Sequence, residues 1–337
     1  GAIAARSSRA APSSSTSTCW GARGLAALAA ALEIEVRPPS PYRLLTRGRR
    51  DGVMRLHRDV LTRLLHVDGE PVVVHAWQRR SGEVALRAVS EGSAEAREGA
   101  LERMRFALGV DDDLSGFYAA FRHDPFLGPA IRRRPWLRPV RRPLAWEALA
   151  WAITEQLIES SRAAAIQRRL VRRWGPALAP PGARGAAPVL RDVPRPDVVA
   201  GLAPAELAAC DLAPARALAM IRCAREIASG RADPADPAAD ARFLRIREIG
   251  PWTLQCLRLF GRGEPDALPA GDLAYVKLVG VIAGLGRRAT VAEVEEFYAR
   301  YEPYRGLAGV FSLSHYGWTQ SRARGLPLAP DCYADAA

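Results

Sequence analysis

The sequence predicts an α+β N-terminal domain with a small antiparallel sheet, followed by a mainly α-helical region. Three observations carry this. Between Leu32 and about Ala88, apolar and polar residues alternate in short runs separated by turn signals, the two-residue period of half-buried strands. From Leu144 onward apolar residues recur three and four apart, the period of amphipathic helices. Between the two lies Arg132 to Pro143, where three prolines prevent a regular helix.

With 337 residues, 49% of them hydrophobic and 25% charged, the chain is a globular protein with room for two or three packed domains. No run of eighteen apolar residues exists that could cross a membrane as a helix. A net charge of +12 invites a polyanionic partner. Lys277 is the sole lysine, however, so 47 of the 48 basic residues are arginine. A GC-rich coding sequence produces that bias by itself, and the charge alone points only weakly to nucleic acid. The five cysteines, Cys19, Cys210, Cys223, Cys256 and Cys332, are scattered without a C-x-x-C pair. They argue for a reducing compartment and against a zinc or iron–sulfur site, so no metal is expected.

Residues 1–30 read as a tail, open to two interpretations: an organellar transit segment, or a disordered or non-native start. The α+β domain is expected over 31–140. Its strands include Ile34–Arg37, Val72–Ala76 and Val84–Arg87, with turns at Arg50-Asp51-Gly52, Asp68-Gly69-Glu70-Pro71 and Ser81-Gly82. A helix over Ala94–Leu108 and a shorter one over Leu114–Phe121 follow, the latter with Asp111-Asp112-Asp113 as an exposed acidic cap. His57, His66, His75 and His123 are dispersed in or beside the sheet. The Arg132–Pro143 junction carries six arginines and no acid, and reads either as a solvated linker or as a track for a phosphate backbone.

The helical domain is expected over 141–330. Leu149, Ile153 and Leu157 mark its first helix, and Ser160 or Ser161 is placed to cap a second, which Gly175 ends. That second helix carries Arg162, Arg168, Arg169, Arg172 and Arg173, either a solvated face or a DNA-backbone contact. Pro176–Pro188 reads as a loop, with helices over Pro196–Ala200, Pro204–Cys210 and Pro214–Ser229. In Phe243–Leu257 an apolar helix ends at Ile249, Gly250 makes a tight turn, and Pro251 starts the next helix. The backbone N–H groups opening that helix suit a phosphate, although by shape alone this is a structural αα-hairpin. A loop from Gly261 to Gly271 then leads to Asp272, which precedes an apolar run and in isolation reads as an N-cap.

Hairpin, loop and aspartate at this spacing resemble the helix-hairpin-helix (HhH-GPD) DNA glycosylases. Leu268-Pro269-Ala270-Gly271-Asp272-Leu273-Ala274 is similar to their catalytic-aspartate segment, Trp146 to Ile158 to the helix leading into their wedge loop, and Pro303 to Ala308 to their closing helix. The resemblance spans roughly Leu144 to Trp318 and, more loosely, the preceding sheet domain, and the branch it looks like is the AlkA-like bacterial DNA-3-methyladenine glycosylase II group, which also carries an N-terminal α+β domain. It implies two helical subdomains with the active site in the cleft between them. It further implies a monofunctional glycosylase that excises alkylated purines, 3-methyladenine first, from double-stranded DNA. Two alternatives stay open: a glycosylase for deaminated or oxidised bases, and a non-catalytic lesion-binding protein of the same fold.

On this resemblance Asp272 is the catalytic carboxylate, stabilising the oxocarbenium-like sugar and orienting water. Gln156 and Leu157 match the wedge that fills the gap left by a flipped base, with a core leucine as the other reading of Leu157. Ile249, Gly250, Pro251 and Thr253 form the phosphate-gripping hairpin, and Trp252, Cys256, Leu313 and Ser314 the base pocket. Trp252 stands where strand-cleaving relatives carry a Schiff-base lysine, so no lyase activity is expected. Two departures are visible. Glu248 replaces the first hairpin glycine, and the pocket is less aromatic, with Tyr275, His315, Tyr316 and Trp318 read either as core and surface packing or as substitute stacking surfaces. The expected cofactor is none, apart from a monovalent cation such hairpins bind through backbone carbonyls. The expected partner is damaged double-stranded DNA and not a membrane, for a monomer in the bacterial cytoplasm, associated with the nucleoid.

Overall fold

The computed structural model describes residues 30–44, 50–178 and 189–323, with side chains as far as Tyr316. The expected tail, Cys19, Cys332, the Trp318 ring and most of the 176–188 loop lie outside the described side chains. Strands β1 (Ala30–Val36), β2 (Met54–His57), β3 (Val60–Val67), β4 (Glu70–Gln78) and β5 (Val84–Ser90) form one sheet in the order β1-β5-β4-β3-β2. Every neighbouring pair is antiparallel, with Leu64 opposite Val73 and Val74 opposite Ala88. Helix α1 (Ala94–Leu108) covers one face. Ser93 caps it by accepting from Ala96 N at 3.1 Å, and Gly109, at φ +63°, ends it in the left-handed region. Leu65, Val72, Val74, Leu86, Leu101 and Met104 fill the space between sheet and helix.

The remainder is helical: α2 (Ser115–Phe121), α3 (Gly128–Arg133), α4 (Ala145–Glu155), α5 (Ser160–Trp174), α6 (Pro196–Ala200), α7 (Pro204–Ala208), α8 (Pro214–Ala228), α9 (Asp240–Phe243), α10 (Pro251–Cys256), α11 (Leu273–Ile282), α12 (Val291–Ala299) and α13 (Arg305–Ala323). Helix α10 continues as a wider π-helical segment over Leu257–Arg262. A two-stranded pair, β6 (Ala177–Leu178) with β7 (Leu190–Arg191), closes the base of the loop expected at 176–188. The buried apolar residues of this part fall into two clusters. One gathers α4, α5 and α8 around Leu149, Ile153, Leu170 and Ile221, and the other gathers α11, α12 and α13 around Tyr275, Tyr298 and Phe311. Phe117 of α2, Leu127 at the N-cap of α3 and Ile131 of α3 join the second cluster, although the sequence reading groups them with the sheet domain.

Beside its own core the sheet meets α4 through buried charge. Arg63 of β3 donates to Glu147 at 2.9 Å and to Asp192 at 2.8 Å, and His66 Nδ1 lies 3.1 Å from the same aspartate. Burial works against the Arg63 charge, but Glu147 and Asp192 outweigh it and hold its pKa above the ordinary value. Asp51 accepts from Arg142 at 2.9 Å and from the Trp151 indole at 3.1 Å.

Four local expectations give way. The Arg132–Pro143 stretch is neither a free linker nor an open phosphate track: Arg141 and Arg142 are ion-paired with Asp112 and Asp51, and Arg138 is buried beside Asp112. Of the three acids at 111–113 only Asp113 caps, accepting from Ser115 N at 2.9 Å, while Asp111 and Asp112 pair with arginines. Glu159 occupies the N-cap position of α5, with Ser160 already helical. The helix expected to run to Ile249 stops at Phe243, and hydrogen-bonded turns carry the chain on, Ile246 N to Phe243 O and Ile249 N to Ile246 O.

Candidate functional site

Helix α4 delivers the chain to an unusual loop. Gln156 leaves the helix with extended backbone, and Leu157 follows at φ +55°, fully exposed. A leucine in the left-handed region costs roughly 1–3 kcal/mol and persists only where its surroundings dictate it. They do so here. Arg216 of α8 donates to Gln156 O at 2.6 Å, and the Gln156 amide donates to Glu248 O at 2.8 Å and to Thr253 Oγ1 at 2.9 Å. Below the loop, Gln167 bridges Thr154 at 2.9 Å and Glu155 at 3.1 Å. Leu157 is therefore not a core leucine, because the helix ends before its face would turn inward.

The same glutamine ties this loop to the hairpin. Glu248 makes the turn at φ +73°, the conformation for which a glycine would be the ordinary choice. Gly250 is extended, and a Cβ built on it would meet nothing within 4 Å, so its backbone faces open space. Pro251 opens α10 with its preset φ, Ile249 is buried beneath the turn, and Thr253 is buried against Gln156. Helix α10 lies between the two apolar clusters, with Leu254 and Leu257 in the first and Leu259 of the π segment in the second.

Trp252 connects the hairpin to Asp272. Its side chain lies beside Gly271, and its indole favours the ionised form of the neighbouring Asp272 carboxylate, which caps α11 by accepting from Ala274 N at 2.8 Å. The N-cap reading of Asp272 is thus correct, and the carboxylate is at the same time half-buried beside an aromatic ring. Burial pushes its pKa up, and the Ala274 hydrogen bond and the Trp252 indole recover only part of that cost. A second carboxylate lies within its electrostatic reach. Glu155, the last residue of α4, is raised chiefly by burial, against the pull of Arg142 and Gln167, with the charges of Asp51 and Asp272 adding to the rise.

The remaining expected pocket residues are more scattered. Cys256 is buried one turn beyond Trp252 on α10, Leu313 is buried in the second cluster, and Ser314 on α13 accepts from Arg134 at 3.0 Å. Tyr275 is core, packed edge-on to Tyr298, and Tyr316 stacks on Phe126, so neither ring is a substitute stacking surface. Among the described residues, no group of three or more His, Cys, Asp and Glu is placed to hold a metal ion. The structure adds Glu155, Arg216 and Arg134, which the sequence reading missed. Arg134 is one of three consecutive arginines, and no periodicity tells which of them turns inward.

No family model matches the chain. It is 22% identical over 278 residues to a DNA-3-methyladenine glycosylase of Bacillus subtilis, spanning 78% of this chain and 88% of that protein. It is also 27% identical over 217 residues to a probable bifunctional transcriptional activator/DNA repair enzyme AlkA of Mycobacterium tuberculosis, covering 62% of this chain but 41% of that longer protein. Its fold matches that of the 3-methyladenine DNA-glycosylase from Archaeoglobus fulgidus with a TM-score of 0.71, at 17% identity, over 85% of this chain and 98% of that one.

Proposed function

We infer that this chain is an AlkA-like helix-hairpin-helix DNA glycosylase that excises alkylated purines, 3-methyladenine foremost, from duplex DNA and leaves an abasic site. One observation carries the reading. An unbroken path of contacts runs from a protruding leucine, through Gln156 and Thr253, to Trp252 and the half-buried Asp272. A base-flipping enzyme needs those parts held in register: an apolar wedge, a phosphate grip and a carboxylate beside the extruded nucleotide.

In this reading Leu157 enters the stack as the base leaves, while the open backbone at Gly250 and the first N–H groups of α10 hold a phosphate beside the lesion. Asp272 stabilises the positive charge that develops on the sugar as the N-glycosidic bond breaks, and takes the proton of the attacking water. An alkylated purine is already cationic and leaves without a dedicated acid. Trp252 occupies the hairpin position from which a lysine would form a Schiff base, and Lys277 lies beyond Asp272 on an exposed position of α11, so strand cleavage is not part of the reaction. The two apolar clusters correspond to two helical subdomains within 141–330, with α2 and α3 of the 31–140 unit completing the second. The cleft between them is the active site.

We propose no cofactor for the chemistry. A monovalent cation on the hairpin carbonyls is compatible with the geometry, since the Glu248 oxygen that accepts from Gln156 keeps a second lone pair. The protein would act as a monomer on chromosomal DNA, in the cytoplasm with the nucleoid; among the described residues no helix is long and apolar enough to cross a membrane. The deciding experiment is excision from a radiolabelled duplex containing methylated purines, run with and without alkali. Release of 3-methyladenine, with breaks only after alkali and no turnover by Asp272→Asn, supports the reading. Breaks without alkali would contradict the monofunctional assignment, and tight binding without release would leave a lesion-binding protein.

A further inference from the structure

Arg216 stands where a cation does little for its own helix. Helix α8 opens on Pro214, which puts Arg216 in the first turn, at the positive end of the macrodipole. The next residue, Ala217, is buried in the apolar cluster shared with α4, so the backbone beneath the guanidinium is fixed. Among the described residues no carboxylate is ion-paired with Arg216, and its hydrogen bond is the 2.6 Å donation to Gln156 O.

That carbonyl belongs to the peptide at the centre of a turn. Gln156 has φ −55° and ψ 126°, and Leu157 follows at φ +55°. These match a type II turn, with about −60° and +120° followed by a positive φ, where glycine is the ordinary residue. Turning the 156–157 peptide over gives a type I turn, with Leu157 at about −90°, a value any side chain accepts. Leu157 is fully exposed, so no packing of its own side chain opposes the flip. The bonds of the Gln156 amide to Glu248 O and Thr253 Oγ1 fix where that side chain lies, not which way the following peptide faces. The Arg216 bond does, because a flip carries the Gln156 oxygen to the other face of the turn. A hydrogen bond from a charged donor is among the stronger ones, of the size needed to offset one left-handed residue.

We propose that Arg216 is a positioning residue that holds the 155–158 turn in its strained form and so keeps Leu157 aimed for insertion into the base stack. The proposal rests on the glycosylase reading, in which Leu157 is the wedge. Arg216 touches neither sugar nor base in this role; it acts through the turn. A wedge already held in one conformation loses less freedom on entering the stack, so the contribution is realised as the base leaves.

The test is single-turnover excision of a methylated purine from two duplexes, one with the lesion correctly paired and one with it opposite a mismatched base. The proteins are the wild type, Arg216→Met, Arg216→Lys, Leu157→Ala and the double variant Arg216→Met/Leu157→Ala, with thermal melts to report folding. Methionine keeps an aliphatic stem without the donors, and lysine restores a charged donor without the planar fork. Arg216→Met should lose about tenfold on the paired duplex, the worth of one charge-assisted hydrogen bond, and less on the mismatched one, where the base flips at lower cost. Arg216→Lys should recover part of the rate. In the Leu157→Ala background the same methionine substitution should cost less than about twofold, because the side chain it aims is gone. That comparison also cancels any loss of folding common to both backgrounds. Equal losses on the two duplexes, or a loss that persists in full without the leucine, would overturn the proposal by placing Arg216 on a phosphate or in the fold. An unchanged rate for Arg216→Met would overturn it too. In each of these cases a wild type that releases the methylated purine leaves the glycosylase reading standing. If the wild type releases none, that reading falls and carries the proposal with it.

Discussion

The side-chain amide of Gln156 donates to Thr253 Oγ1 at 2.9 Å, and this bond joins the loop that exposes Leu157 to the helix that positions Trp252. A second bond from the same amide, to Glu248 O, closes the link onto the turn of the hairpin. The two structures that must act on DNA together are thus fixed by one side chain, with little of the apolar core involved. Gln156→Ala should lower kcat/KM by about tenfold to a hundredfold, the worth of two hydrogen bonds of roughly 0.5–1.5 kcal/mol each when they matter most in the flipped complex. The melting temperature should hardly move, because Gln156 is partly exposed. A large stability loss with parallel loss of activity would show the bonds to be structural.

Leu157 separates two meanings of a leucine. A core leucine truncated to alanine costs about 2–5 kcal/mol, whereas a fully exposed one costs close to nothing. Leu157→Ala is expected to keep wild-type stability and to lose most excision from fully paired duplexes, with less loss where the lesion is mispaired and flips easily. Leu157→Gly should lose activity equally while gaining stability by a few tenths to about 1 kcal/mol, the released left-handed strain less the entropy of a new glycine. A destabilised alanine variant would show that Leu157 packs against protein.

Asp272 gives opposite signs for activity and for stability. Its pKa is raised from the ordinary 3.8, and the ionised form is the one that stabilises a cationic sugar. The acid limb of kcat/KM should therefore lie above pH 3.8, with activity falling as pH drops through the raised value. Stability runs the other way. The folded state binds the proton more tightly than the unfolded state, so the contribution of this group is fully present below 3.8 and is lost as pH rises through the raised value. Asparagine still caps α11. Asp272→Asn should accordingly be inactive, retain lesion binding, and melt at or above the wild-type temperature at pH 7.5, the difference shrinking toward acid. A variant that melts well below the wild type at neutral pH would contradict a buried, energetically costly charge.

Much of the fold was legible because prolines and turns mark boundaries locally. Pro196, Pro204 and Pro214 each open the helix expected of them, and Ala94–Leu108 is helical over the expected residues. The approach to the hairpin was not legible, since Phe243, Leu244, Ile246 and Ile249 look like one apolar helical face. Tertiary context divides them: Phe243 and Ile249 are buried while Leu244 is half exposed, and the backbone turns between them to bring Glu248 within reach of Gln156. The individual site residues could be named from spacing and resemblance, but their connections could not. That Trp252 lies beside Asp272, that Glu155 lies within its field, and that Arg134 is the buried arginine of its run all depend on residues far apart in sequence.

Glu248 is where sequence and fold disagree most openly, and the disagreement is measurable. It adopts φ +73° in a turn that glycine would make at lower cost, and it places a carboxylate one residue from Ile249 and two from Gly250, beside the proposed phosphate grip. Glu248→Gly removes both penalties. Relief of about 1–2 kcal/mol of left-handed strain outweighs roughly 0.5–1 kcal/mol of added chain entropy, so a small net gain in stability is expected. The electrostatic change is the more diagnostic one. Removing a negative charge close to a phosphate should tighten duplex binding severalfold at low salt and less at high salt, because the repulsion is screened over about 10 Å at 0.1 M. Titrating labelled abasic duplex at about 50 and 200 mM salt measures both affinities. Equal affinity of the two proteins at low salt would mean that the carboxylate does not face DNA, and would move the phosphate grip away from this turn.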